Sequence, residues 1–192
     1  MSFSYISFLI EKEYFCVQLI FIMFIKTLQY KSAKKALYKK LATVTEKEIS
    51  KTPVKRIGVI FDADQIEKKE TLISGLRTIA EVTEMCYHKD FKKTRTISYP
   101  VFYEKDFGWK GKTSSSELQA FLNTPFDLLI SYYENDTLPL ALASGLQVSN
   151  FKIGIAGTNQ AIHDMIIQTK TKDVQVFIKE LQTYLHILNK LS

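Results

Sequence analysis

RIGVIFDADQ, residues 56–65, decides the fold. The apolar run Gly58-Val59-Ile60-Phe61 stops abruptly at Asp62, and Asp64 follows two positions later. An unbroken apolar run, rather than an alternating one, is what a strand shows when both faces of its sheet are covered. Residues 66–81 continue with Ile66, Leu72, Ile73, Leu76, Ile79 and Ala80 at helical spacing. VTEMCYH (82–88) reads as a second strand and ISYPVFY (97–103) as a third. Pro100 marks the third as an edge, because proline has no amide to give to a ladder. A capping box, Ser114 with Glu117, opens the helix SSELQAFL. Strand FDLLISYY (126–133), helix LPLALASGLQV, strand FKIGIAG (151–157) and a helix over 173–191 complete the chain. Such alternation predicts an α/β three-layer sandwich, Rossmann-like, with a mostly parallel sheet of about five strands. RIGVIF and FDLLISYY are its expected central strands. The order of the strands is left open.

Length and composition suit one domain plus an extra segment. Of the 192 residues, 46% are hydrophobic and 24% charged, the balance of a folded domain and not of a disordered chain. The net charge of +6 suggests nucleic acid until it is located. Residues 26–56 hold ten Lys and Arg against Glu46 and Glu48, a surplus of +8; residues 1–25 and 57–192 each carry −1. The domain itself is near neutral, so its basicity is local. Cys16 and Cys86 are far apart and make neither a disulfide framework nor a zinc motif, as expected of reduced thiols in the cytoplasm.

The basic part has helical spacing. Ile25, Leu28, Ala33, Leu37 and Leu41 form a narrow apolar stripe, and Lys31, Lys34, Lys35, Lys39 and Lys40 occupy much of the rest. Two readings stand. The stripe docks on the domain with the lysines in water, or residues 26–42 bind an acidic partner, anionic lipid at the inner face of the membrane, or RNA. Residues 23–55 are read as this helix and a polar linker, separable from the α/β domain at 56–192. Residues 1–22 are a doubtful extension, expected to pack poorly on the domain. Their longest apolar stretch, YFCVQLIFIMFI (14–25), has twelve residues where a spanning helix needs roughly 20. Met23 is the expected start, with a membrane anchor as the alternative.

DFGWKGK (106–112), FDLLISYY, SNFKIGI (149–155) and HDMII (163–167), with the last helix, resemble a domain family of unknown function from Bacteroidota over roughly residues 24–192. The resemblance implies a fold and no activity. FDLLISYY, a helix and SNFKIGI are also similar to half of a heptosyltransferase-like enzyme, but the second nucleotide-holding domain of such enzymes has no counterpart here.

VIFDAD also resembles the first strand of haloacid dehalogenase-type phosphatases. That resemblance implies Asp62 as nucleophile, Asp64 as acid–base and Ser131 on the phosphoryl group. Gln65-Ile66 stands where those enzymes continue with Gly-Thr, and Gly157-Thr158-Asn159 follows FKIGIAG where a magnesium-binding acidic pair belongs. The bland reading is a solvated strand end, with Asp64 capping a helix. Gly157, Thr158 and Asn159, at a strand end where α/β proteins bind ligands, are candidate ligand contacts or an ordinary turn. His163 is the best placed of three histidines that share no ligand spacing. Trp109 is either a ligand-stacking lid or a plug over the core. No metal or cofactor is expected. The reading that results is a non-catalytic cytoplasmic α/β binding or scaffold module. The alternatives are an Asp62/Asp64 phosphohydrolase and a peripheral membrane or RNA-associated protein.

Overall fold

The computed structural model describes residues 3–43, 52–89 and 99–191, with side chains from residue 18 onward. Helix α1 spans Phe3–Ala42. Strands β1 (Arg56–Asp62), β2 (Glu81–Tyr87), β3 (Val101–Phe102), β4 (Phe126–Tyr132), β5 (Ser149–Ile155) and β6 (Met165–Ile167) form one sheet in the order β3-β2-β1-β4-β5-β6. Every pairing is parallel. The helices are α2 (Lys69–Arg77), α3 (Ser116–Asn123), α4 (Leu138–Leu146) and α5 (Val174–Ile187). This is the Rossmann strand order, with β1 and β4 at the centre, as their unbroken apolar runs require.

Side chains alternate across the sheet and so build two cores. Val59, Phe61, Leu128, Ile130 and Ile153 meet Leu72, Ile73 and Leu76 of α2 and Phe177 and Leu181 of α5. Ile60, Met85, Leu129 and Tyr133 meet Leu118 and Phe121 of α3, Leu140 and Ala143 of α4, and Ala33 and Leu37 of α1. Each such Leu or Ile contributes about 1.5–3 kcal/mol on burial. Gly58 is needed in β1 because the Phe126 ring lies over it; a Cβ there would fall 2.5 Å from Phe126 Cδ2.

Two expectations change. The sheet has six strands, not about five: β6 has only three residues, too short to show a period. Helix α3 is capped by Ser115, whose hydroxyl accepts from Leu118 N at 3.3 Å, and not by Ser114. Of the two readings of the α1 stripe, docking on the domain is the one the structure bears out: Leu37 is 2% exposed and occupies the space that a Cβ on Gly145 would need. Most of the polar linker (44–51) and of the loop before β3 (90–98) lies outside the described residues. Leu19, Ile20, Phe21 and Ile22 of α1 are exposed. Among the described residues no helix is long and apolar enough to cross a membrane.

Candidate functional site

The strand order reverses between β1 and β4, and open α/β sheets take ligands in the crevice at that point. Here the crevice is spanned by one side chain. Gln65, in the turn after β1, donates from Nε2 to Asp62 Oδ2 at 2.6 Å. Its Oε1 accepts from Glu134 N at 2.7 Å and Asn135 N at 3.2 Å, beyond the end of β4. Asp62 Oδ1 accepts from Asp64 N at 3.0 Å. The Glu134 carboxylate in turn accepts from Thr171 N and Thr171 Oγ1, both at 2.7 Å, which ties in the segment before α5. A belt of hydrogen bonds thus runs across the carboxyl ends of the sheet.

Asp62 is 6% exposed. Burial raises its pKa, opposed by the Asp64 amide and the Gln65 amide group. Both oxygens are engaged by the turn that follows, which suits a structural carboxylate better than an attacking one. Ser131 is fully buried on the α4 face and donates to Ser144 Oγ at 2.8 Å, and Ser144 also bonds Tyr133 OH at 2.9 Å. Asp64 is exposed. Asp62, Asp64 and Ser131 therefore do not converge on one space. Among the described residues no group of three His, Cys, Asp or Glu is placed to hold a metal ion.

The loop after β5 is also turned inward. Gly157 has φ +99, and a Cβ there would strike the Glu134 carbonyl, so the β5 and β4 loops touch backbone to backbone. Thr158 Oγ1 donates to Ile155 O at 2.8 Å, and Asn159 Oδ1 accepts from Ala161 N at 3.0 Å. His163 Nδ1 lies 2.8 Å from Asn159 O and so carries the proton; burial lowers the pKa of this imidazole to about 4. Asp136, at the surface before α4, is hydrogen-bonded by Tyr133 and Asn159, and desolvation still raises it to about 6. Gly157, Thr158, Asn159 and His163 are brought together, but as a closed turn.

An open groove lies elsewhere, between α1 and the ends of β2, β3 and the start of α4. Its volume is about 380 Å³, within the range of small-molecule sites, roughly 300–1,000 Å³. Lys26, Gln29, Tyr30 and Ala33 form its roof, and their i, i+3, i+4, i+7 spacing puts them on one helical face. Phe107, Leu138, Pro139 and Leu142 make the floor. The glycine loop holds α1 in place: Gln29 Nε2 donates to Phe107 O at 3.2 Å, and Lys110 N to Ser32 Oγ at 3.3 Å. Lys110 and Gly111 reach this geometry with positive φ. Trp109 is 50% exposed, so it covers no core. Lys31, Lys34, Lys35 and Lys39 face solvent, while Lys40 Nζ donates to Leu146 O at 2.7 Å at the end of α4.

Sequence reasoning met Gln65 only as a departure from the phosphatase pattern and did not assemble the groove. The signal for the roof was present in the 26, 29, 30, 33 spacing. The signal for Gln65 was its place in the DADQ turn, where a phosphatase needs glycine.

The model of a family of unknown function, DUF6913, matches residues 29–188, and the chain belongs to that family. No curated protein and no solved structure matches it.

Proposed function

We propose that this member of DUF6913 is a non-catalytic, cytoplasmic α/β binding module that uses the groove under α1 and not the strand-end crevice. The observation that carries the reading is the Asp62–Gln65–Glu134 clasp, which fills the position where a Rossmann-like sheet takes its ligand. The groove is a concave surface with an apolar floor and polar rim, the usual composition of a ligand site. Its walls come from the DFGWKGK loop, α1 and α4, so ligand, loop and helix would be coupled.

The test is a thermal-shift panel of small molecules on the full chain, on Gln29→Trp, which fills the groove, and on Asp64→Asn, which alters the strand end. Compounds that stabilise the native chain are expected to lose their effect in Gln29→Trp and keep it in Asp64→Asn. Magnesium-dependent hydrolysis of p-nitrophenyl phosphate that disappears in Asp62→Asn would replace this reading with the phosphohydrolase. A second reading, peripheral attachment to an anionic membrane, is favoured by the exposed Phe21, Met23, Phe24 and Ile25 beside the lysines of α1. Sedimentation with vesicles containing phosphatidylserine tests it, and unchanged binding at high salt in a Lys31/Lys34/Lys35→Gln chain would reject it.

A further inference from the structure

We propose that the groove under α1 takes an amphipathic anion: an apolar acyl or aryl body that ends in one carboxylate or phosphate. This rests on the reading that the groove is the binding site. The floor is apolar, built from Phe107, Leu138, Pro139 and Leu142. The Phe107 carbonyl at its edge is taken up by Gln29 Nε2. The rim is cationic. Lys26 comes from α1 and Lys89 from just after β2, with Lys105, whose Nζ lies over the Tyr103 ring at 5.4 Å, after β3, against one acid in the lining, Glu104. These lysines are far apart in sequence, so the positive rim is made by the fold and not by a lysine run. The amino end of α4 faces the same space through Leu138 and Pro139. Its first turn has no acidic residue, and the Thr137 side chain does not cap it, so the positive end of the helix dipole adds to the rim.

The two halves select against other ligands. A wholly polar anion leaves the floor without an apolar partner. A neutral hydrocarbon gains nothing from three ammonium groups, and a cationic amphiphile is repelled by them. An acyl or aryl anion satisfies both, with its body along Tyr30 and Leu138 and its charged group toward Lys26 and Lys89.

Calorimetric titration of the full chain with dodecanoate and dodecylammonium below their micelle concentrations, and with dodecanol below its solubility limit, tests the proposal. The expected result is one-to-one binding of dodecanoate, weaker binding of dodecanol by about tenfold or more, and none of dodecylammonium. A Lys26→Gln/Lys89→Gln chain, altered only at solvent-facing ends, should bind dodecanoate about tenfold more weakly and dodecanol unchanged. Equal affinity of native chain for dodecanoate and dodecanol, both abolished by Gln29→Trp, would overturn the anion preference and leave the groove standing. Absence of binding by all three, or binding that Gln29→Trp does not touch, would overturn the groove reading itself. The comparison among probes on the native chain decides the matter even if the double variant folds poorly.

Discussion

Gln65→Ala is the sharpest test of the closed crevice. The substitution removes the donor to Asp62 Oδ2 and the shared acceptor of Glu134 N and Asn135 N. The Asp62 bond is to a buried carboxylate, worth about 1.5–3 kcal/mol, and the two amides together about 1 kcal/mol because water can reach the Asn135 side. Partial replacement by water at the truncated site brings the expected loss to about 2–3 kcal/mol. For a chain of this size about 1 kcal/mol moves the melting temperature by ~2–4 °C, so a fall of about 4–12 °C follows. Calorimetric melting of native and variant chains at neutral pH is the assay, with Gln65→Glu beside it. The glutamate sets a second negative charge against Asp62, so that variant should regain stability as the pH is lowered and the pair takes up a proton. A Gln65→Ala melting temperature within a degree of the native value would refute the clasp, and with it the reason for placing the ligand elsewhere.

Leu37→Ala leaves a cavity between α1 and Gly145 and is expected to cost about 2–3 kcal/mol in urea unfolding; less than about 0.5 kcal/mol would mean that α1 is no part of the cooperative core. Gly58→Ala pushes a methyl group into the Phe126 ring and should cost about 1–3 kcal/mol, and a neutral outcome would show that the ring moves freely. His163 contributes stability that is complete above its ordinary pKa of 6.5 and is lost as the pH falls toward about 4, because the unfolded chain takes up the proton first. That window corresponds to about 3 kcal/mol. Asp136, raised to about 6, acts with the opposite sign: its contribution is lost as the pH rises through that value. The measurement is therefore the difference between native and His163→Gln unfolding curves from pH 7 to 4, which should narrow steadily as the pH falls; parallel curves would contradict it.

The central strands were legible because burial on both faces leaves a signature that needs no partner to read: GVIF and FDLLISYY are apolar without alternation. Pro100 located the edge for a similarly local reason, the missing amide. The elements that escaped depend on long-range geometry. β6 is defined by its pairing with Ile153 and Ile155 and not by its own three residues. Docking of α1 was one of two readings of its stripe, and what decides it is Gly145, more than a hundred positions away, and Gln29 reaching Phe107. At the candidate site, VIFDAD suggested chemistry from spacing alone, but spacing does not say which groups a carboxylate meets. Asp62 meets its own turn, and Ser131 alternates to the α4 face. The loop DFGWKGK was conspicuous for its tryptophan, yet its structural task falls to Phe107, Lys110 and Gly111, while the indole lies at the surface.

The central claim is that ligand enters under α1 while the strand-end crevice stays closed. Amide NMR of the full chain during titration with dodecanoate tests it most directly. Shifts confined to Gln29, Ala33, Phe107 and Leu142 are the predicted result. Shifts at Asp64, Gln65 and Glu134 with the groove unperturbed would contradict it.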